Sequence, residues 1–108
     1  MIKRGSQYIH LKKETLAYIV ADAKLCFAFD LQGAKNLLEN NLSQLEEQID
    51  PTQFFRINRH LVLNIEAIKK VHTWLGNQLK VELKLETSVD TIVSRERVSE
   101  FKEWYGGT

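Results

Sequence analysis

The apolar residues of this chain fall in short runs cut by polar breaks, a pattern that restricts it to a fold made mostly of short strands. Segments 7–11 (QYIHL), 15–21 (TLAYIVA) and 25–29 (LCFAF) are the first candidates, the last two divided by Asp22-Ala23-Lys24. Gly33 marks a turn before a further short strand, KNLLE. The period then changes, since Leu42, Leu45 and Ile49 recur at helical spacing. Asn41 caps that helix with Gln44 completing a capping box, and Pro51 ends it. Strands resume at FFRI and LVLNI, and Asn64 to Ala67 forms one helical turn. VHTWL and QLKVELKL flank Gly76-Asn77, a dipeptide suited to a tight hairpin. VDTIV is the last strand; Ser94 caps a terminal helix with Val98, Phe101 and Tyr105 as its apolar stripe, stopped by Gly106-Gly107. This describes one mainly β domain with one short internal helix and a C-terminal helix, without the alternating helices of a parallel α/β sheet.

Within 54–65 the odd positions 55, 57, 61, 63 and 65 are apolar, as for a half-buried strand, but Arg59 shares their parity. Either the chain leaves the sheet around Asn58-Arg59-His60 or these side chains are presented to something. The 108 residues suit a single domain, and 44% hydrophobic with 27% charged is an ordinary globular composition. The single Cys26 excludes an internal disulfide and, set in an apolar run, reads as a small core residue. His10, His60 and His72 lack metal-ligand spacing, and no glycine cluster builds a phosphate loop. No catalytic residue, cofactor, metal or membrane span is expected.

Charge is the remaining signal. The net charge is only +1, but Arg56, Arg59, Arg95 and Arg97, four of five arginines, form two tight pairs. Arg95 and Arg97 fall in the first turn of the final helix, where the helix dipole disfavours cations by roughly 0.3–1 kcal/mol each. One reading has them solvated and partnered by Glu96, Glu100 or Glu103; the other has an external anion offset that cost. Arginine matches guanine or phosphate bidentately and asparagine matches adenine, so Arg56, Asn58, Arg59 and His60 suit a loop that enters a groove.

These residues carry a resemblance. FFRINRHLVLNIEAIKKV (54–71) resembles the central signature of the LytTR (LytR/AgrA-type) DNA-binding domain, with its paired aromatics, Arg, polar residue, Arg-Ser and Val-Asn. IVSRERVSEFKEWY (92–105) resembles the closing segment, and NLSQLEEQI (41–49) the preceding helix. His60 stands where the family usually has Ser, Leu63-Asn64 replaces Val-Asn, and Asp22-Ala23-Lys24 departs from the usual Glu-Ala segment.

The resemblance implies an elongated antiparallel β fold whose inter-strand loops enter successive major grooves of double-stranded DNA. It puts Asn58, Arg59 and His60 on the central contact loop, Arg95 on the C-terminal one and Lys24 on the first. Arg56 then touches phosphate or supports the loop, and Arg97 accompanies Arg95. It further implies that residues 1–108 are one domain, the C-terminal output domain of a bacterial, cytoplasmic response regulator. An upstream receiver or sensor domain, repeated promoter sites and a second copy on the DNA go with that reading. The alternative from the residues alone is a β-rich protein-interaction or ligand-sensing module.

Overall fold

Strand β3 (Leu16–Asp22) is apolar along most of its length because both of its faces are covered. In the computed structural model, which describes residues 2–4, 7–9, 15–22, 24–85, 87 and 89–106, β3 is the centre of a five-stranded antiparallel sheet. β4 (Leu25–Asp30) and β5 (Lys35–Leu38) lie on one side of it, and β7 (Leu61–Asn64) and β6 (Phe54–Asn58) on the other, in the order β5-β4-β3-β7-β6. A second antiparallel sheet, ordered β10-β9-β8, combines β8 (Ile68–Thr73), β9 (Leu79–Leu83) and β10 (Ile92–Val93). β1 (Ile2–Arg4) and β2 (Gln7–Ile9) form a separate antiparallel pair. His10, Leu11, Ala23 and Gly107, which the sequence reading placed in strands, a break and a stop, lie outside the described residues.

Two cores follow. Tyr18, Val20, Ile57, Leu61 and Leu63 meet Ile68 and Val81 of the second sheet and Phe101 of α2 (Val98–Tyr105). On the opposite face, Leu16, Ile19, Cys26, Phe54 and Val62 pack with Leu42 and Leu45 of α1 (Leu42–Glu46). A register shift between Leu16 and Tyr18 explains how adjacent Ala17 and Tyr18 both join the first core. The principal dimensions of 42 × 29 × 24 Å make the domain elongated.

The capping box forms: Asn41 Oδ1 accepts from the Gln44 amide at 2.8 Å, and Gln44 Oε1 from the Asn41 amide at 2.9 Å. The helix stops at Glu46, short of Ile49, and Asp50 Oδ1 instead accepts from the Thr52 amide and hydroxyl, a local arrangement that competes with helical bonding. Gly76 and Asn77 both take a φ of 63° at the β8–β9 tip, as a two-residue hairpin of this kind requires.

The start of the final helix differs from the expected cap. Arg95–Arg97 form a 3₁₀ turn, and the Ser94 hydroxyl donates to the Ile57 carbonyl at 3.3 Å rather than capping. Gly106 ends α2 with φ −68°, so no left-handed glycine is involved there. Trp104, which the stripe of Val98, Phe101 and Tyr105 left out, is half-buried and packs on Phe55 (ring centroids 5.3 Å apart), while Tyr105 is exposed and stacks on Phe101 at 5.7 Å.

Cys26 is 4% exposed, and burial pushes its thiol above the ordinary value, with Arg56 opposing in part. An alkylating reagent should therefore label Cys26 slowly in the folded protein and rapidly in denaturant. Equal rates in both states would show that the β4 core is open.

Candidate nucleic-acid interface

The β6–β7 connection is a hairpin with Asn58 paired to Leu61, so Arg59 and His60 form its exposed tip. A register shift between Arg56 and Asn58 adds an extra residue at Ile57. Arg59 thus breaks the alternation because the chain has left the sheet. Arg59 Nε lies 3.2 Å from His60 Nε2, so the two tip side chains meet.

The preceding polar residues turn inward. Asn58 is only 8% exposed; its Oδ1 accepts from the His60 amide at 2.8 Å, and its Nδ2 donates to the carbonyls of Ile92 at 2.9 Å and Asp90 at 3.3 Å. Arg56 donates to the Arg59 carbonyl at 2.8 Å and the Asn58 carbonyl at 3.3 Å, and pairs with Glu46 of α1 at 2.7 Å. Its guanidinium therefore bonds the backbone of the tip from behind. Asn64, fully buried, serves a different turn, donating to the Leu16 carbonyl at 2.7 Å and accepting from the Glu66 amide at 2.9 Å.

Two other segments adjoin the tip. The Ala21 amide donates to the His60 carbonyl at 2.8 Å, which ties in the turn between Asp22 and Leu25 where Lys24 is exposed. The Ser94 amide donates to the Ile57 carbonyl at 2.9 Å, which ties in the segment leading to Arg95. Three stretches separated by tens of residues in sequence are thereby joined through main-chain bonds.

The second arginine pair is divided by the fold. Arg95 is exposed and lies over Gly76 at the β8–β9 tip. Arg97 lines a groove with Glu46, Arg56, Glu96, Glu100 and Trp104, where its Nη1 is enclosed without a hydrogen-bond partner. Among the described residues Arg59, Arg95 and Arg97 make no ion pair with a carboxylate. The proximity of Gly76 to Arg95 was invisible in sequence, where Gly76-Asn77 signalled only a turn.

The two described histidines lie on different elements. His60 is at the tip, while His72 lies 2.9 Å from Glu82, which holds that carboxyl below its ordinary value; His10 is outside the described residues. Among the described residues no group of three or more His, Cys, Asp or Glu side chains is placed to hold a metal, and no helix is long and apolar enough to cross a membrane.

Comparison with known proteins agrees with this architecture. A solved LytTr DNA-binding domain from Bacillus cereus superposes with a TM-score of 0.80, covering 97% of this chain and 94% of that one at 18% identity. The sensory transduction protein LytT of Enterococcus faecalis is 30% identical over 105 residues, 95% of this chain and 42% of that protein. The transcriptional regulatory protein YpdB of Escherichia coli is 26% identical over 86 residues, 80% of this chain and 34% of that protein. The chain thus spans well under half the length of these relatives. Residues 6–106 match the LytTr DNA-binding domain family, so nearly the whole chain, including every tip described above, lies within the match, and the chain belongs to that family.

Proposed function

We propose that this chain binds double-stranded DNA sequence-specifically through the adjoining tips that carry Lys24, Arg59-His60 and Arg95. The observation that carries the reading is their arrangement: the Lys24 turn and the segment leading to Arg95 are each bonded to the central tip, with Arg59 and Arg95 exposed and unpaired with any carboxylate among the described residues. Tips on a rigid sheet suit groove entry better than a solvated loop would. Arg59 and Arg95 are the base readers in this proposal, each able to make a bidentate contact with guanine. Lys24 and His60 contact the adjacent backbone. Arg56 and Asn58 hold the tip in shape, consistent with their inward bonds. Arg97, enclosed beside α1, supports the start of α2.

In the full protein, residues 1–108 act as the C-terminal output domain of a cytoplasmic bacterial transcription regulator, behind a receiver or sensor domain. Two copies occupy repeated promoter sites. The role is one of recognition, with no catalytic step and no cofactor.

The test is site selection from a random duplex pool with the wild type, Arg59→Ala and Arg95→Ala, followed by affinity measurement across a salt series. Each arginine variant should lose preference at its own cluster of base pairs by about ten- to hundredfold and keep the other. Wild-type log affinity should fall linearly with log salt, by about 0.9 per phosphate contact. Binding indifferent to salt would defeat the DNA reading and favour a protein- or ligand-binding module. Uniform weakening by both variants with every preference intact would reduce these arginines to backbone grips.

A further inference from the structure

Arg95 does not lie free in solvent. Its guanidinium crosses the tip of the β8–β9 hairpin so closely that a Cβ at Gly76 would overlap Nη2 and lie 3.2 Å from Cζ and 3.3 Å from Nε. Two demands fall on position 76. Its φ of 63° favours glycine, but adjacent Asn77 has the same φ and is not glycine, so backbone conformation alone does not require the residue. A Cβ there would instead meet the end of the Arg95 side chain, and the guanidinium would have to shift from its present place.

We infer that Gly76 is a positioning residue for Arg95: the bare backbone of the hairpin tip is a platform that sets the direction in which the guanidinium fork points. The inference rests on the proposal that Arg95 reads DNA, and it adds a specificity determinant on an element outside the three polar turns. The platform is braced. The Trp74 amide donates to the Gln78 carbonyl at 2.9 Å, the Gln78 amide to the Leu75 carbonyl at 3.2 Å, and Lys80 Nζ sits 4.4 Å from the centre of the Trp74 ring. A long side chain restrained before contact loses less freedom when it binds, and a bidentate contact depends on the angle of the fork.

The informative variant is Gly76→Asn, because asparagine accepts the left-handed backbone while adding the obstructing Cβ; Gly76→Ala is a second variant with the same Cβ. Asn77→Gly is the control for the turn. Site selection and affinity would be measured for these, for Arg95→Ala and for the double variant Gly76→Asn/Arg95→Ala. Gly76→Asn should relax preference by about tenfold at the base pairs read by Arg95, near the lower end of what such a contact supplies, and leave those read by Arg59 unchanged. Asn77→Gly should keep the wild-type preferences. In the Arg95→Ala background, Gly76→Asn should add nothing. If Arg95→Ala shifts preference and Gly76→Asn does not, or if Gly76→Asn has its full effect without Arg95, the positioning role is overturned while the DNA reading stands. If Arg95→Ala leaves every preference at wild type, the assignment of Arg95 to DNA fails, and the role of Gly76 fails with it.

Discussion

Phe101→Ala should destabilise the domain by about 3–5 kcal/mol, the range for truncating a large aromatic in a packed core. Phe101 is 1% exposed, and its ring is held by Phe55, Trp104 and Tyr105, each with a centroid 5.7 Å away. Removing it takes away the one fully buried side chain by which α2 enters the first core, leaving Val98 and Trp104 as its part-buried contacts. Small domains have total stabilities of about 5–15 kcal/mol, so this loss takes a large share. Thermal melting would register a fall of about 15 °C or more for a domain of this size. Phe55, half-buried at the edge of the same cluster, should lose less on truncation. A Phe101→Ala melting temperature within a few degrees of the wild type would mean that α2 is not integral to the fold.

Asn58→Ala should damage both stability and DNA binding. The deletion leaves the His60 amide without its acceptor and takes a donor from the Asp90 and Ile92 carbonyls. Buried polar groups left unmade cost about 1–3 kcal/mol each, so a combined loss on the order of 2–4 kcal/mol is expected. The same bonds tie the β6–β7 tip to the strand leading to Arg95, so affinity should fall with every base preference blunted together. Arg59→Ala offers the contrast: its side chain is exposed, and its removal should leave the melting temperature nearly unchanged while binding drops. Wild-type stability in Asn58→Ala, with preference lost at one position only, would instead make Asn58 a base reader.

These two residues show where the sequence was readable. Alternation in 54–65 was legible in part because it is local: Ile57, Leu61 and Leu63 enter one core with Phe101, but Phe55 and Ile65 are only half-buried, and Phe54 and Val62 on the other face fill the second core. The capping box and the Gly76-Asn77 turn were legible for the same reason: their partners lie within a few residues. Direction within the polar run was not legible. An extra residue at the register shift between Arg56 and Asn58 offsets the period, and Asn58 finds its partners 32 and 34 residues away. Ser94 looked like a cap, but a carbonyl 37 residues back takes its hydroxyl. At Ser94 a long-range acceptor outcompetes the local cap, and at Asn58 long-range bonds add to the local one with His60; residue type alone does not disclose them. The family resemblance pointed to these segments without separating side chains that face outward from those that brace the turn.

The main-chain bonds between the tips have a consequence for the geometry of any site this domain reads. The Ala21–His60 and Ser94–Ile57 bonds at 2.8 and 2.9 Å belong to the backbone, so the reach between the tips resists adjustment by side-chain rotation. On the proposed mode of binding the domain is a fixed caliper. An added base pair between the two clusters turns one against the other by about 34° and moves it about 3.4 Å, since B-DNA completes a turn in about 10–10.5 base pairs. A flexible pair of recognition arms would follow that change, whereas jaws set by hydrogen-bonded backbone would not. Spacing between contacted bases would then be part of the recognised message, alongside the bases themselves.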